Sequence, residues 1–144
     1  MTTIAYRNGV LAADTALFHN SLYCGMVDKI NKVGDFVYGF AGSLTAANQV
    51  WNWLLSGGDE GSKPNFTESV EVLRIDLDGY VCLALSDLTF RPWYGEFFAI
   101  GSGSEAAYGA MEAGANAEKA VKVACKLDAY TREPIKILKV KVKK

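Results

Sequence analysis

The sequence predicts an α+β fold in which antiparallel sheets are covered by helices. Three observations support this. Glycine-containing turns separate paired apolar segments, the connections between strands are too short for βαβ units, and the helical patterns follow groups of strands. A chain of 144 residues is long enough for one sizeable core. With no repeat or linker that would divide it, residues 1–144 are expected to form one domain.

Three hairpins are predicted where apolar segments flank a short turn. The turns are Asn8-Gly9, Gly34-Asp35 and Asp78-Gly79. The paired strands are expected over residues 2–6 with 10–14, 23–33 with 36–41, and 70–76 with 80–85. One or two further strands are expected within residues 90–100, with Pro92 at a sheet edge because proline cannot donate a ladder hydrogen bond.

Three helices are predicted from apolar residues that recur at helical spacing. They are expected over residues 43–55, 104–113 and 117–130, with Ser43 and Asn116 as N-caps. Beyond them, residues 138–144 alternate apolar side chains with lysine. This pattern favours an outer strand with a solvated lysine face, which also protects an edge against aggregation. A strip that docks nucleic acid or a partner is the less favoured alternative.

Composition excludes several classes of protein. Half of the residues are hydrophobic, but no apolar run approaches the roughly 20 residues that a membrane helix needs. No export signal is recognisable, so a soluble, cytoplasmic protein without a membrane partner is expected. The three cysteines lack metal-type spacing and are expected to be reduced. His19 is the single histidine, so a histidine-rich metal site is excluded, and neither a metal nor an organic cofactor is expected.

A candidate nucleophile follows the initiator directly. Aminopeptidases that remove methionine accept a small second residue, so the mature chain is expected to begin at Thr2. A terminal threonine carries a hydroxyl and a free α-amine, whose pKa of about 7.7–8.0 lets it act as a base near neutral pH. The alternative is that Thr2 only starts a strand.

Three charged residues occur among apolar neighbours. Asp128 lies on the packing face of the last predicted helix, near the C-terminus where the helix dipole disfavours a carboxylate. If buried, it needs a cation or several donors. Asp14 ends an apolar strand, and Lys32 lies in a strand with apolar residues on both faces, where burial would lower its pKa. Each of them also fits a solvated or paired structural residue.

The segment Gly101-Ser102-Gly103, followed by Ala106, matches the dinucleotide-binding fingerprint only superficially. It lies late in the chain and in an antiparallel context, without a second parallel strand that carries a ribose-binding acid. We therefore expect this loop to bring a serine hydroxyl and backbone amides close to another group.

Six segments in order resemble the proteasome β-subunit family of N-terminal-nucleophile hydrolases, which includes the HslV-type peptidases. Together they span almost the whole chain. They are Thr2-Thr3-Ile4, Ala12-Ala13-Asp14, Lys29 to Val33, Gly39 to Ser43, Ile100 to Gly103 with Ala107-Tyr108-Gly109, and Asp128 to Thr131. The resemblance implies a four-layer αββα sandwich, in which two antiparallel sheets lie between helical layers.

The resemblance also implies a role for individual residues. Thr2 is the nucleophile, Lys32 paired with Asp14 lowers its effective pKa, and the Gly42 N–H forms the oxyanion hole. The residues that hold the terminal amine are Ser102, Asp128 and Thr131. The residues that match the main specificity pocket are Leu17, Ile30, Phe40 and Leu44. Because these four are apolar, cleavage after apolar residues is expected; the alternative is that they are ordinary core residues.

The implied protein is a cytoplasmic threonine endopeptidase that forms an acyl-enzyme, acts on unfolded polypeptides and self-assembles into a ring or related oligomer. A separate ATPase unfoldase is a candidate partner. Two other functions stay open: an amidase of the same superfamily that acts on a small molecule, and a non-catalytic assembly protein. The sequence departs from the family in four places. The first hairpin is shorter, the long second helix is largely missing, Ser43 replaces a common second glycine, and Arg132-Glu133 replace the usual glycines after Thr131.

Overall fold

The computed structural model describes residues 2–140, which form eleven strands, three α-helices and a short 3₁₀ turn. The strands are β1 (Ile4–Arg7), β2 (Val10–Ala13), β3 (Ala16–His19), β4 (Leu22–Met26), β5 (Ile30–Val33), β6 (Phe36–Gly42), β7 (Val70–Ile75), β8 (Val81–Ala84), β9 (Arg91–Pro92), β10 (Phe97–Ile100) and β11 (Lys136–Lys139). The helices are α1 (Leu44–Leu55), α2 (Ser104–Glu112) and α3 (Ala117–Leu127), with the 3₁₀ turn at Glu60–Ser62. None of the helices within residues 2–140 has the length and apolar character that crossing a membrane requires.

The strands within residues 2–140 are organised in two large sheets and one separate hairpin, all antiparallel. The four-stranded sheet has the order β10-β1-β2-β11, and the five-stranded sheet runs β5-β6-β7-β8-β9. The remaining pair, β3 and β4, hydrogen-bonds to neither large sheet. The prediction of an α+β fold with antiparallel sheets covered by helices is confirmed, and Pro92 lies in the edge strand β9 as expected.

Local sequence signals account for most of the element boundaries. Asn8 and Gly9 both have positive φ, which is the conformation of the hairpin turn predicted there. The Ser43 hydroxyl caps α1 by accepting from Ala46 N at 3.1 Å, and Asn116 caps α3 by accepting from Lys119 N at 2.8 Å. Helix α3 ends earlier than predicted, because Asp128 takes an extended conformation as its C-cap.

One predicted strand is divided in the structure. Residues 23–33 were expected as one strand, but β4 ends at Met26 and β5 begins at Ile30. Val27 N donates to Thr15 O at 2.8 Å, which closes a hairpin that the sequence did not signal. Asn20 lies in the turn between β3 and β4 and has a φ of 55°, a value that asparagine tolerates better than most residues. Of the predicted lysine strand, residues 141–144 lie outside the described residues.

In the described part of the chain, three clusters of buried side chains form the core. The first lies between the two large sheets, the second between the five-stranded sheet and α1, and the third between the four-stranded sheet and the helices α2 and α3. Representative members are Ile4 and Leu73, Val50 and Val72, and Ala12 and Val121, respectively. This packing brings the start of β1 close to the turn between β10 and α2.

Candidate active site

Thr2, which lies just before β1, is buried and hydrogen-bonded to the turn between β10 and α2. Only 4% of Thr2 is exposed. Its backbone nitrogen donates to Ser102 Oγ at 3.1 Å, and its carbonyl oxygen accepts from Gly103 N at 3.3 Å. The turn between β10 and α2 therefore binds Thr2 through both the Ser102 side chain and the Gly103 backbone.

Two glycines allow the turn to approach Thr2 and Thr3 this closely. A Cβ atom on Gly101 would overlap the carbonyl oxygen of Thr2, and one on Gly103 would overlap Thr3 Oγ1. Gly101 also has a φ of 99°, which side chains rarely adopt. The glycine pattern that resembles a dinucleotide motif is thus required for the close approach of the loop to Thr2 and Thr3.

A chain of hydroxyl groups connects this segment to Asp128. Asp128 Oδ2 accepts from Ser102 Oγ at 2.7 Å and from Thr131 Oγ1 at 2.5 Å. Because an ionised carboxylate can only accept, the Thr131 hydroxyl donates to it and in turn accepts from Thr3 Oγ1 at 2.7 Å. Asp128 therefore obtains donors that offset its unfavourable position at the helix C-terminus. It reaches the Thr2 nitrogen through Ser102.

A second carboxylate lies deeper in the protein. Asp14 is fully buried, and both of its oxygens lie 3.0 Å from Lys29 Nζ. Asp14 also accepts from Thr3 N at 2.9 Å and from Ala16 N at 3.3 Å. Burial lowers the pKa of Lys29, and the charge of Asp14 opposes this shift. Within residues 2–140, every buried side-chain nitrogen or oxygen has a hydrogen-bond partner.

The predicted pairing of Lys32 with Asp14 is wrong, because Lys29 makes this contact. Lys32 is exposed on β5, opposite Val37 and close to the Gly34-Asp35 turn. Lys29 precedes the strand, and its carbonyl accepts from Phe40 N at 3.0 Å. The two lysines are separated by three residues, about 10 Å along a strand.

The hairpin register carries a signal that distinguishes the two lysines. Counting back from the predicted Gly34-Asp35 turn places Lys29 opposite Phe40, at the end of the hairpin where Gly42 lies. Lys32 falls at the turn end instead. Since Gly42 was the expected oxyanion donor, this register would have placed Lys29 nearer to the site than Lys32, whereas the contact of Lys29 with Asp14 depends on the packing of the two large sheets.

A cavity of about 510 Å³ opens beside Thr2. Lys29 and Gly42 belong to its wall, and Gly42 ends β6 just before the capped start of α1. The four predicted specificity residues all line this cavity: Leu17, Ile30, Phe40 and Leu44. Ile30 and Phe40 also belong to core clusters, so they serve as both core and wall. Lining residues that the sequence did not indicate include Phe18, His19, Cys24, Asn48 and Trp51.

The cysteine, histidine and acidic side chains of the described residues, 2–140, are the candidates for a metal site or a reactive thiol. Among residues 2–140, no group of three or more His, Cys, Asp or Glu side chains is arranged to hold a metal ion. The cysteines are free thiols, as expected. Burial raises the pKa of Cys125 to about 11, which leaves very little thiolate near neutral pH.

Comparison with solved structures finds the same fold in HslV- and proteasome-type peptidases. Thiobacillus denitrificans BPH in complex with epoxomicin is 23% identical, with a TM-score of 0.65 over 96% of this chain and 98% of that one. The eukaryotic HslV from Trypanosoma brucei is 16% identical, with a TM-score of 0.67 over 96% of this chain and 98% of that one. No protein-family model and no curated protein matches the chain. The resemblance inferred from the sequence is confirmed at the level of fold.

Proposed function

We propose that this chain is a proteasome-like threonine endopeptidase whose nucleophile is Thr2 Oγ once Met1 has been removed. One observation carries the proposal. The Thr2 nitrogen is hydrogen-bonded to Ser102, which contacts the Asp128 carboxylate, and Thr2 lines the same cavity as Lys29. A free amine at this position would have a partner linked to a carboxylate and access to substrate. The fold shared with HslV- and proteasome-type peptidases supports a peptidase activity.

The proposed reaction begins with attack of Thr2 Oγ on the carbonyl carbon of a peptide bond. The hydroxyl proton passes to the Thr2 amine, and the Lys29 ammonium favours the developing alkoxide. We assign the oxyanion to the Gly42 N–H; one such donor typically contributes about 2.7–4 kcal/mol to lowering the barrier. The C–N bond then breaks, the leaving amine takes the proton from the Thr2 ammonium, and an ester remains on Thr2.

Hydrolysis of the ester completes the cycle. Water attacks the ester carbonyl while the Thr2 amine accepts its proton, and the carboxylic acid product leaves as Thr2 Oγ regains a proton. Ser102, Asp128 and Thr131 hold the amine in place during both steps. In the unprocessed chain Met1 would convert this amine into an amide, which cannot accept a proton, so that form should be inert.

The surroundings of Thr2 suggest the substrate. The cavity is lined by large apolar side chains, including Leu17, Phe40 and Trp51, which supports cleavage after apolar residues of an unfolded polypeptide. A small-molecule amidase would instead need a polar, closed pocket. We include in the proposal a cytoplasmic location, a ring or related oligomer, and a separate ATPase unfoldase as partner.

The proposal also includes the four-layer αββα sandwich. It is supported by the order of the three core clusters, which lie between α1 and the five-stranded sheet, between the two sheets, and between the four-stranded sheet and α2 with α3.

The decisive experiment is intact-mass measurement before and after treatment with epoxomicin, the ligand in the structure of T. denitrificans BPH. The wild-type protein is expected to begin at Thr2 and to gain the mass of one epoxomicin. Thr2→Ala should gain none, whereas Thr2→Ser, which keeps a hydroxyl and an amine, should be modified. Modification that persists in Thr2→Ala would contradict the assignment of the nucleophile. Retained Met1 without an adduct would favour the non-catalytic assembly protein.

A further inference from the structure

The β3–β4 hairpin forms one wall of the cavity without belonging to either large sheet. Leu17, Phe18 and His19 of β3 and Cys24 of β4 line the cavity. No residue of either strand takes part in the three core clusters. An isolated two-stranded hairpin is marginally stable at best in water. The position of this wall therefore depends on the side chains that hold it.

Arg132 contacts both strands of the hairpin. Its guanidinium carbon lies 5.3 Å from the ring centroid of Phe18 and 4.6 Å from that of Tyr23. Phe18 and Tyr23 are opposite each other in the β3–β4 register, with ring centroids 5.7 Å apart. Tyr130 adds an edge-on contact to Phe18 at 5.2 Å. Cation–π contacts of this kind attract a guanidinium to the ring faces.

The same short segment also supports the candidate catalytic residues. Residues 128–132 contain Asp128 and Thr131, which form the hydroxyl network, and the Arg132 N–H donates to Asp14 Oδ2 at 3.4 Å. The backbone of this segment therefore belongs to the site, while the Arg132 side chain reaches the cavity wall. A glycine, which the resembling family has at this point, offers no such side chain.

We propose that Arg132 is a positioning residue that clamps the β3–β4 hairpin to segment 128–132 and so sets the shape of the substrate cavity. The inference rests on the proposed function where it concerns substrate. Arg132 acts through Phe18 and Tyr23 and is not assigned a part in the chemistry at Thr2. Loss of its side chain should therefore weaken substrate binding and leave the chemical step unchanged.

Hydrogen exchange of the full-length protein tests the clamp without relying on activity. In Arg132→Ala, amides of residues 16–26 should exchange about 5- to 30-fold faster, the ratio expected when two exposed cation–π contacts are lost. Arg132→Lys keeps the charge but not the planar stacking, so it should restore protection only in part. Arg91→Ala is the matched control, because Arg91 is an exposed arginine on β9 paired with Asp87. Unchanged exchange in β1, β2 and β10 would show that the fold is intact.

Kinetics with an apolar fluorogenic peptide test the consequence for substrate. Arg132→Ala should raise KM by a similar factor at unchanged kcat, and epoxomicin should still modify Thr2. Unchanged hairpin exchange in Arg132→Ala would overturn the clamp. Faster exchange with unchanged KM in an active enzyme would overturn its role in binding. Faster exchange in a protein that reacts with neither peptide nor epoxomicin would contradict the proposed function and support the clamp.

Discussion

At the scale of single residues, the candidate site depends on two carboxylates with different surroundings. Asp14 is fully buried and is compensated by one ammonium group and backbone amides. Asp128 is partly exposed, and among the described residues its carboxylate accepts only from hydroxyl groups. Asp14 therefore holds Lys29 at the cavity, whereas Asp128 polarises Ser102 toward the Thr2 nitrogen. The two acids serve different partners.

Replacing Lys29 tests how much the buried ion pair between Lys29 and Asp14 contributes to the stability of the protein. Lys29→Met leaves the Asp14 charge without its cation, which typically costs about 3–5 kcal/mol of stability when one partner of a buried pair is removed. Lys32→Met, on the exposed side of β5, should change stability by no more than about 0.5 kcal/mol. The midpoints of urea denaturation measure both effects.

The rate of peptide hydrolysis distinguishes the role of Lys29 from that of Lys32, independently of their effects on stability. Lys29→Arg keeps a positive charge beside Asp14 but moves it, so we expect a folded protein with strongly reduced peptide hydrolysis. Lys32→Arg should hydrolyse peptide at the wild-type rate. Equal losses for the two substitutions would contradict the assignment of Lys29.

At the scale of elements, α3 connects the stability of the fold to the site. Its first residue follows the Asn116 cap, and its C-cap is Asp128, which joins the hydroxyl network. The face between them packs Ala120 and Val121 against the four-stranded sheet. Packing of α3 against the four-stranded sheet thus fixes the position of Asp128 at the C-terminal end of the helix.

Substitution of the N-cap of α3 separates the contribution of the helix to stability from its contribution to the candidate site. Asn116→Ala should lower the free energy of unfolding by about 1 kcal/mol, the usual effect of losing a cap. It should leave peptide turnover unchanged, because an eleven-residue helix, about 16 Å long, separates Asn116 from Asp128. Thermal or urea denaturation measures the loss. Asn116→Ser, which keeps a capping oxygen, is the control, and an equal loss there would contradict the capping explanation.

At the scale of the whole molecule, the site exists because the two large sheets pack face to face. The start of β1 in one sheet and the end of β6 in the other meet across the first core cluster. Gly39 on β6 lies so close to β1 that a Cβ atom would be 3.1 Å from two carbon atoms of Ile4. The two sheets are therefore so close here that an added side chain would require Ile4 to move by a few tenths of an ångström.

Gly39→Ala tests this close packing. An added methyl group must displace Ile4 or separate the sheets, and such overpacking typically costs about 1–3 kcal/mol. Gly61→Ala is the control, because no atom lies within 4 Å of a Cβ built there and its φ is not positive. A urea-denaturation series would show the difference. Equal stability of the two variants would mean that the sheets adjust without cost.

Much of this architecture follows from local signals. Asn8-Gly9 requires a hairpin turn, and Ser43 and Asn116 supply caps wherever a helix begins beside them. The β3–β4 hairpin escaped prediction because its turn at Asn20 contains neither glycine nor proline. Its strands are also mostly exposed or half-buried, so they lack the apolar alternation that marks a strand against a core.

By itself, the sequence determined most of the strands and helices in their order, and its resemblance to a peptidase family pointed to Ser102, which contacts the Thr2 nitrogen, and to Asp128, which contacts Ser102. Turn chemistry, capping and helical spacing depend on neighbours within a few residues, so they can be recognised without knowledge of the fold. Only the tertiary structure decided that Lys29 rather than Lys32 meets Asp14, and that Arg132 reaches the cavity wall. Those contacts join residues distant in sequence, and strand register and sheet packing alone determine which side chains meet.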